Sequence, residues 1–433
     1  MLKMNTTNRY DKYKDSGIEW IGEIPESWNI NKIGQIYQER NEKVSDKEFK
    51  PLSVTKNGIV PQLENAAKTD NGDNRKLVRQ NDFVINSRSD RRGSCGISDY
   101  TGSVSLINTV LTPRKNMVNQ YYNFTFKSEC FADEFYRWGT GIVDDLWSTK
   151  WSSMKNIYIP YPNVKEQESI AGYLDRKCGA IDETIEKQKS VIEKLKEYKQ
   201  SIITQSVTKG LDKSAPMKDS GIEWIGQIPQ HWEIIKFKNC ISKIADVDHY
   251  MPNSVDIGYP YLMTGDLKEC ASQINFDICK KISSEDYIDL ATKIHPQKDD
   301  IIFARYATIG TLCYVDISKE FLVSYSCLTI RPLNTKVLGK FIFYYLKSDI
   351  FTNEIMQYVN SNTQSNIGLD SLKRILVILP NVTEQKQIIS YLNKKCSEID
   401  KTIEDKEKLI EKLVEYKKSL IYECVTGKRK VVA

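Results

Sequence analysis

Histidine is scarce in this chain, and the residue spacings that mark common metal sites and hydrolytic sites are missing. Its 433 residues include ten cysteines, none in a CxxC pair, and only three histidines, at positions 231, 249 and 295. Zinc sites need thiolates or imidazoles clustered at short spacings, so we predict no metal site and mostly buried, reduced cysteines. No histidine lies near a candidate nucleophile, so a hydrolytic triad is not expected either.

Nucleotide-binding loops are missing as well. The sequence contains no GxxxxGK[ST] loop to hold nucleotide phosphates, which argues against a motor or a helicase. It has no glycine-rich strand-to-helix loop for a dinucleotide or a methyl-donor nucleoside. An Asp/Asn-Pro-Pro-aromatic motif, with which an amino-methyltransferase holds a flipped adenine, is also absent. We therefore predict that the chain catalyses nothing by itself and carries no cofactor or metal.

Long apolar runs and a strong charge of one sign are absent too. No apolar run approaches the roughly 18 residues of a transmembrane helix, and the first residues lack the apolar core of a signal peptide. A cytoplasmic protein without a membrane partner is therefore expected. The net charge of +5, from 62 Lys+Arg against 57 Asp+Glu, permits nucleic-acid binding without arguing for it.

What the chain does contain is two copies of one module. Residues 14–28 (KDSGIEWIGEIPESW) and 218–232 (KDSGIEWIGQIPQHW) are identical at 12 of 15 positions. Residues 162–208 and 380–426 are identical at 26 of 47 positions. The order is A-B-A′-B′, and most of each A segment has diverged, as expected of a device that reads two different things at a fixed separation. The predicted boundaries are 1–161, 162–210, 211–379 and 380–433.

The B segments are predicted to be long helices with an apolar seam. Proline is absent from residues 165–207, and apolar residues recur every seven positions, the pattern of a coiled coil. The nearest partner of each helix is the other one, in an antiparallel pair; a parallel pair, or pairing only with another chain, is the alternative. Gln188 and Lys406 interrupt the rows at the same position, where a polar residue either fixes the register or marks a local gap open to solvent. The predicted seam residues are Leu174, Ile181, Ile185, Ile192, Leu195, Leu392, Ile399, Ile403, Ile410 and Leu413.

Two tryptophans flank an Ile-Pro turn at the start of each A segment: Trp20 and Trp28 in the first copy, Trp224 and Trp232 in the second. We interpret them as a hydrophobic clasp that fastens each insert to the helices rather than as an aromatic platform for bases. Both copies keep these tryptophans while the inserts diverge. The inserts themselves are predicted to be compact mixed α/β folds.

Each insert also contains a predicted hairpin with a cationic tip. A polar turn leads into a short β-rich run, and a second such run returns after the tip. Arginine, glycine and small hydroxyl residues at the tip can approach phosphates and reach base edges; an ordinary solvated hairpin is the alternative. The strands are expected at 81–86 and 95–98 around a tip at 87–93, and at 299–304 and 312–315 around a tip at 305–310.

A polar stretch precedes each B segment, WSTKWSS at 147–153 and NSNTQSN at 360–366. Amide and hydroxyl side chains suit hydrogen bonds to base edges. The two stretches differ sharply, as they would if each read a different sequence, although both can also be plain loops.

These repeats resemble a known family. The doubled DSGIEWIG-x-IP-x-x-W start, the PNV-x-EQ-x-x-I-x-x-YL entry to a long helix and the EKL-x-EYK-x-S ending are similar to the specificity subunits of type I restriction–modification systems. The resemblance covers essentially the whole chain, with all four blocks in order. It implies an α+β fold in which two mixed α/β target-recognition domains are joined by two long helices in an antiparallel coiled coil, with an internal pseudo-two-fold repeat.

The resemblance also implies a function. Each recognition domain would read one half of a bipartite site in double-stranded DNA, while two modification subunits, and then restriction subunits, bind the helical frame. S-adenosylmethionine, ATP and Mg²⁺ would belong to those partner subunits, with adenine-N6 methyl transfer in the modification subunits. The implied DNA-binding residues are Arg88, Arg91, Arg92, Lys150 and Ser152 in the first domain, and Arg305, Tyr306, Thr308, Gln364 and Asn366 in the second.

Two other functional classes compete with this hypothesis. A single-chain DNA-cutting or methylating enzyme is disfavoured by the missing motifs. A coiled-coil scaffold without a nucleic-acid role is disfavoured by the two divergent cationic inserts.

Overall fold

The computed structural model describes residues 9–62, 72–88, 91–114, 116–141, 147–306, 308–360 and 366–431. The chain divides into two compact units. Unit 1 consists of Met1–Lys189 and Glu407–Ala433, and unit 2 consists of Ser190–Lys406. Each unit therefore combines one A segment with parts of both long helices, and the boundaries drawn from the repeat stay a prediction.

Unit 1 is built from short strands and helices that precede a long helix. The strands are β1 (Tyr13–Asp15), β2 (Glu23–Pro25), β3 (Asn29–Lys32), β4 (Tyr37–Glu39), β5 (Lys43–Val44), β6 (Leu52–Thr55), β7 (Gly58–Pro61), β8 (Arg75–Val78), β9 (Phe83–Asn86), β10 (Cys95–Ile97), β11 (Gly102–Val104), β12 (Asn108–Pro113) and β13 (Tyr158–Tyr161). The helices are α1 (Ile33–Ile36), α2 (Asn119–Lys127), α3 (Glu129–Arg137), α4 (Trp151–Met154) and α5 (Val164–Lys209), the last of which continues into unit 2.

Unit 2 repeats this plan with different inserted elements. Its strands are β14 (Met217–Asp219), β15 (Gln227–Pro229), β16 (Glu233–Lys236), β17 (Ile241–Ala245), β18 (Tyr259–Leu262), β19 (Lys281–Ile282), β20 (Ile301–Ala304), β21 (Leu312–Tyr314), β22 (Leu322–Val323), β23 (Cys327–Pro332), β24 (Val359–Asn360), β25 (Asn366–Ile367) and β26 (Leu376–Leu379). Its helices are α6 (Ser284–Ala291), α7 (Gly339–Leu346), α8 (Asp349–Met356), α9 (Leu369–Arg374) and α10 (Val382–Val425), the last of which continues into unit 1.

The same four-stranded antiparallel sheet lies at the centre of both units. Its order is β10-β9-β12-β4 in unit 1 and β21-β20-β23-β17 in unit 2. The second strand in each order is the apolar run that the sequence shows, and β20 is buried along its whole length. Cys95 pairs with Ile85 and Leu312 pairs with Phe303, which confirms both predicted hairpins.

The remaining strand pairs close each insert onto itself. The shared tryptophan-containing peptide forms the hairpin β1-β2 in unit 1 and β14-β15 in unit 2. The last strand before each long helix pairs with an early strand, β13 with β3 and β26 with β16. The start and the end of each insert therefore lie side by side at the point where the long helix begins.

The repeated PNV-x-EQ motif starts the two long helices in the same way. The side chain of Asn163 accepts a hydrogen bond of 3.0 Å from the backbone N–H of Glu166 and donates one of 2.7 Å to its carboxylate. Asn381 and Glu384 repeat both bonds at 3.0 and 2.9 Å. The first bond of each pair satisfies a backbone donor that the first helical turn leaves unpaired, and the second holds the asparagine and glutamate side chains together.

The glutamine of the same motif ties each helix to its insert. Gln167 accepts a hydrogen bond of 2.8 Å from the backbone N–H of Val118, at the start of α2. Gln385 accepts the equivalent bond of 2.9 Å from Leu338, at the start of α7. Both glutamines are fully buried. In each copy, the glutamine of the motif therefore joins the long helix to the start of a helix in the insert.

In each unit the two long helices pack against each other in antiparallel fashion. In unit 1, Lys417 of α10 pairs with Asp182 of α5 at 2.6 Å. In unit 2, Lys199 of α5 pairs with Asp400 of α10 at 2.7 Å. Residue numbers rise along one helix as they fall along the other, which confirms the antiparallel coiled coil and excludes the parallel alternative.

The predicted seam residues lie on the packed faces of these helices. In unit 1, Leu174, Ile181 and Ile185 are buried in the main core cluster, and Ile410 and Leu413 pack against it partly buried. In unit 2, Leu392 and Ile399 are buried in the core cluster, and Leu195 and Ile403 pack against it. Ile192 is buried as well.

The tryptophan clasp is complete in unit 1 and partial in unit 2. Trp20 and Trp28 both belong to the buried core of unit 1, and the Trp20 ring packs edge-on against Phe131. Trp232 is buried in unit 2, but Trp224 is 45% exposed, so the prediction that it packs in the clasp is wrong. In unit 1 the ammonium of Lys428 donates to backbone carbonyls next to Trp20 and closes over the peptide. At the repeat offset of 218 residues, Lys428 corresponds to Gly210, which has no side-chain donor.

The ten cysteines are all thiols, eight of them buried, which agrees with the expectation of reduced cysteines. Cys178 and Cys396, at equivalent positions on the long helices, are both buried in core clusters. Across the described ranges, no group of histidine, cysteine, aspartate and glutamate side chains could hold a metal ion. None of the helices in those ranges is long and apolar enough to cross a membrane.

Candidate nucleic-acid interface

A buried aspartate lies at the base of each hairpin with a cationic tip, β9-β10 in unit 1 and β20-β21 in unit 2. In unit 1, Asn81 adopts a left-handed conformation (φ +70°), and the following Asp82 accepts hydrogen bonds of 2.7 and 3.1 Å from the guanidinium of Arg40. In unit 2, Asp299 is left-handed (φ +73°), and Asp300 accepts a bond of 2.8 Å from Arg331. Arg40 directly follows β4, whereas Arg331 lies in β23, the counterpart of β12, so unlike sequences build the same anchor.

Burial has the largest effect on the pKa of Asp300, the aspartate at the base of the unit 2 hairpin. It raises the pKa of Asp300 above the usual aspartate value, although the hydrogen bonds from Arg331 and from the backbone of Gln297 act in the opposite direction. The hydrogen bonds between Arg331 and the almost fully buried Asp300 hold the turn and offset part of the cost of burying the carboxylate.

In unit 1 the hairpin tip and the polar stretch before α5 are joined directly. Arg88 forms an antiparallel bridge with Ser148, and the backbone N–H of Thr149 donates a hydrogen bond of 2.9 Å to the carbonyl of Ser87. The Thr149 hydroxyl donates to the carbonyl of Phe135 at 2.6 Å and is buried. Two stretches about 60 residues apart in the predicted module therefore form one surface.

An open cationic cleft lies between these two stretches. Its volume is about 600 Å³, and three of the residues named as DNA contacts in unit 1 line it: Arg88, Lys150 and Ser152. Two further lysines that the sequence argument did not select, Lys76 and Lys155, line it too. Lys155 directly follows α4 and lies two residues beyond the selected stretch, so its position could have been found from the sequence, whereas Lys76 comes from a distant strand and gives no sequence signal.

The other two arginines of the unit 1 tip do not line this cleft. Arg92 is ion-paired with Asp133 of α3 and lines a different cavity, on the side of the hairpin that faces α3. The backbone of Arg91 forms part of the turn. Its N–H donates a hydrogen bond of 3.3 Å to the carbonyl of Arg88, and its carbonyl accepts one of 2.9 Å from the N–H of Ser94.

Unit 2 joins its two stretches in the same way. Tyr306 forms an antiparallel bridge with Asn366, and the backbone N–H of Ile367 donates a hydrogen bond of 3.2 Å to the carbonyl of Arg305. Thr308 is exposed on the tip. Gln364, the remaining predicted contact, lies outside the described residues.

The tip of unit 2 differs from that of unit 1 in its electrostatics. Arg88 is exposed, whereas the Arg305 side chain is 13% exposed and lies 3.3 Å from the carboxylate of Asp246. Lys293 also approaches Asp246, at 3.4 Å. Asp246 and Lys293 were missed by the sequence argument because they lie far from the tip along the chain.

The comparisons with known proteins agree with the repeated motifs. Residues 233–413 match the family model of the type I restriction modification DNA specificity domain. The MjaVIII specificity subunit of Methanocaldococcus jannaschii is 25% identical, over 94% of this chain and 94% of that protein. The EcoKI specificity subunit of Escherichia coli is 24% identical, over 65% of this chain and 59% of that protein.

The chain is similar to the specificity subunits of type I restriction–modification systems, and its residues 233–413 match their DNA specificity domain.

Two solved structures share the fold of this chain. A chain from a study of complex assembly and conformational transition of the type I R-M system matches with a TM-score of 0.69 at 12% identity, covering 93% of this chain and 98% of that one. The HsdS subunit from Thermoanaerobacter tengcongensis matches with a TM-score of 0.53 at 13% identity, with the same coverage.

Proposed function

We propose that this chain is a specificity subunit that reads a bipartite site in double-stranded DNA, one half with each unit, and that its paired helices set the distance between the halves. The observation that carries the proposal is the duplicated joint between hairpin tip and polar stretch. Arg88 bridges Ser148 in unit 1, and Tyr306 bridges Asn366 in unit 2. The backbone arrangement is kept while the side chains differ, which is what two readers of different sequences require.

The chemistry of the two surfaces suits different contacts. In unit 1, Arg88, Lys150 and Lys155 line one cleft, and such cations bind phosphates or the acceptor atoms of guanine. In unit 2, Tyr306 and Asn366 present a hydroxyl and an amide, and an amide can form paired hydrogen bonds with adenine. We therefore expect unit 1 to contribute more of the salt-dependent affinity.

Exposed apolar side chains on the long helices support docking of two modification subunits. Val191 and Tyr198 are exposed on the part of α5 in unit 2, with Tyr198 at 56%. Leu409 and Tyr416, 218 positions later, are exposed on the part of α10 in unit 1, with Tyr416 at 47%. Exposed tyrosines with apolar neighbours are typical of protein interfaces, and two equivalent sites suit two copies of one partner.

The partner subunits supply the chemistry in this proposal. Adenine-N6 methyl transfer from S-adenosylmethionine belongs to the modification subunits, and ATP and Mg²⁺ belong to the complex that includes the restriction subunits. The specificity subunit contributes binding and orientation of the DNA.

Methylation mapping tests the proposal directly. The full chain is expressed with its modification subunit in a host that lacks other adenine methylation, and the methylated adenines are located across the genome. We expect two short fixed sequences separated by a constant number of unread base pairs. The modification subunit expressed alone is the control and should leave the genome unmethylated. A single uninterrupted motif, or methylation independent of this chain, would contradict the proposal.

A further inference from the structure

The hairpin tip of unit 2 contains an arginine that faces into the protein. Nη2 of Arg305 lies 3.3 Å from Oδ2 of Asp246 and donates a hydrogen bond of 2.7 Å to the hydroxyl of Tyr306. The guanidinium carbon also lies 4.8 Å from the centroid of the Tyr306 ring. Arg305 therefore links the carboxylate of Asp246 to the next residue of the tip.

Asp246 is a fixed point relative to that tip. It directly follows β17, the edge strand of the central sheet, and its side chain is 12% exposed. Lys293 Nζ lies 3.4 Å from Oδ1 of Asp246, and Nε2 of His249 lies 3.3 Å from Oδ2. The carboxylate is thus held by groups from three parts of the unit.

The effect of Arg305 extends to the second polar stretch. Its carbonyl accepts a hydrogen bond of 3.2 Å from Ile367, and its neighbour Tyr306 bridges Asn366. A displacement of Arg305 would therefore move both stretches with which unit 2 is proposed to read DNA.

The charges argue for a positioning role. A carboxylate near bound DNA repels the phosphates, so its direct effect on affinity is unfavourable. An arginine that contacts phosphates is expected to be exposed, as Arg88 is in unit 1, whereas Arg305 is largely covered and its charge is offset by Asp246.

We propose that Asp246 is a positioning residue of unit 2. Through Arg305 it holds Tyr306 and Asn366 in the arrangement that reads the second half-site, and Arg305 itself does not bind a phosphate. This inference rests on the proposed function, and it reassigns Arg305 from a DNA contact to an internal brace.

The test compares two neighbouring aspartates in the full chain assembled with its modification subunit. Asp246→Ala removes the brace, and Asp248→Ala removes the same charge from an exposed side chain of the same loop that contacts Lys293 instead, at 3.3 Å. Binding is measured on duplexes that carry the mapped site, or that site with one base pair changed in either half. We expect Asp246→Ala to weaken binding to the intact site about tenfold and to reduce discrimination at the second half-site only, an effect of the size of one lost base contact. Asp248→Ala should bind equally or slightly more tightly.

The salt dependence of binding separates a brace from a direct phosphate contact. Arg305→Ala should leave the slope of log K against log salt unchanged if Arg305 is a brace, and lower it by about 0.9 if it contacts one phosphate. Discrimination at the first half-site reports whether each variant is folded and assembled. Unchanged or tighter binding by Asp246→Ala with full discrimination, or a reduced slope for Arg305→Ala, would overturn the inference. If the unaltered complex showed no half-site preference, the proposed function itself would fail.

Discussion

The indole Nε1 of Trp28 donates a hydrogen bond of 3.2 Å to Oε1 of Glu166, and Trp232 makes the same bond to Glu384 at 3.3 Å. The tryptophan belongs to the first repeated motif and the glutamate to the second. Each bond therefore joins, within one unit, the two peptides that the chain keeps in duplicate. The frame stays alike in the two copies because its parts contact each other.

Weakening this joint should destabilise unit 1 by a modest, measurable amount. Trp28→Phe removes the donor, and Glu166→Gln removes the charge of the acceptor. A hydrogen bond to a charged group contributes roughly 1.5–3 kcal/mol, so a double-mutant cycle should show a coupling free energy on the order of 1 kcal/mol in urea unfolding. Trp224→Phe, at an exposed position, is the control and should change stability by less than about 0.5 kcal/mol.

The apolar seam should tolerate little truncation. Leu174 is fully buried on α5 within unit 1, and Leu174→Ala should cost about 2–5 kcal/mol because it removes a buried side chain and leaves a cavity. Leu409→Ala, at a position 41% exposed on α10 in the same unit, is the matched control and should be nearly neutral. Equal losses for the two variants in a denaturant titration would contradict the observed packing.

The parts of the fold that repeat, or that follow a period, could be predicted from the sequence. The seven-residue period predicted both long helices because it follows the packed face of each helix. The polar turns that precede the β-rich runs predicted both hairpins. An identical sequence did not guarantee identical burial: Lys428 donates to carbonyls next to the buried Trp20, whereas the second copy has Gly210 at that position and its Trp224 is 45% exposed. The role of Arg305 could not be predicted because its partner Asp246 lies 59 residues earlier, and only the tertiary fold brings them together.

Within the unit 1 tip, Arg88 should matter more for DNA binding than Arg92. Arg88 lines the cationic cleft, whereas Arg92 is paired with Asp133. In the assembled methyltransferase, Arg88→Ala should weaken binding and lower the salt slope by about 0.9, while Arg92→Ala should change the slope little. Discrimination at the second half-site should survive in both variants. The opposite order of effects would show that the cleft is not the binding surface.

A buried carboxyl should make unit 2 sensitive to pH in an unusual direction. Glu354 is buried on α8 and accepts one hydrogen bond of 3.2 Å from the backbone of Leu376. Burial raises its pKa above the ordinary value of 4.5, although that hydrogen bond acts in the opposite direction. The folded state therefore holds its proton to a higher pH than the unfolded state does, and stability falls as pH rises from 4.5 through the folded pKa.

Glu354→Gln should remove this loss. The amide keeps an acceptor for Leu376 and cannot ionise, so we expect the variant to be more stable than the original at pH 7. The difference should shrink below pH 4.5, where the original side chain is protonated in both states. Thermal unfolding at the two pH values measures it, and a variant that is less stable at pH 7 would show that the charged form is better accommodated than its burial indicates.

The proposal that the helices set the half-site separation predicts a change in the DNA site itself. Four residues inserted into both long helices, after Lys189 in α5 and after Lys406 in α10, add about one helical turn, or roughly 6 Å, to each. These positions are where the chain passes between the two units, so neither insert nor its joint is altered. A coiled coil accommodates a four-residue insertion by local unwinding when both strands receive it. Because duplex DNA rises about 3.4 Å per base pair, the unread spacer should lengthen by one or two base pairs while both half-sites keep their sequences.

The control inserts four residues into α5 alone, which shifts one seam against the other and should impair assembly. Methylation mapping decides the matter, since an active enzyme with the original spacer, or with changed half-site bases, would mean that the helices do not fix the separation.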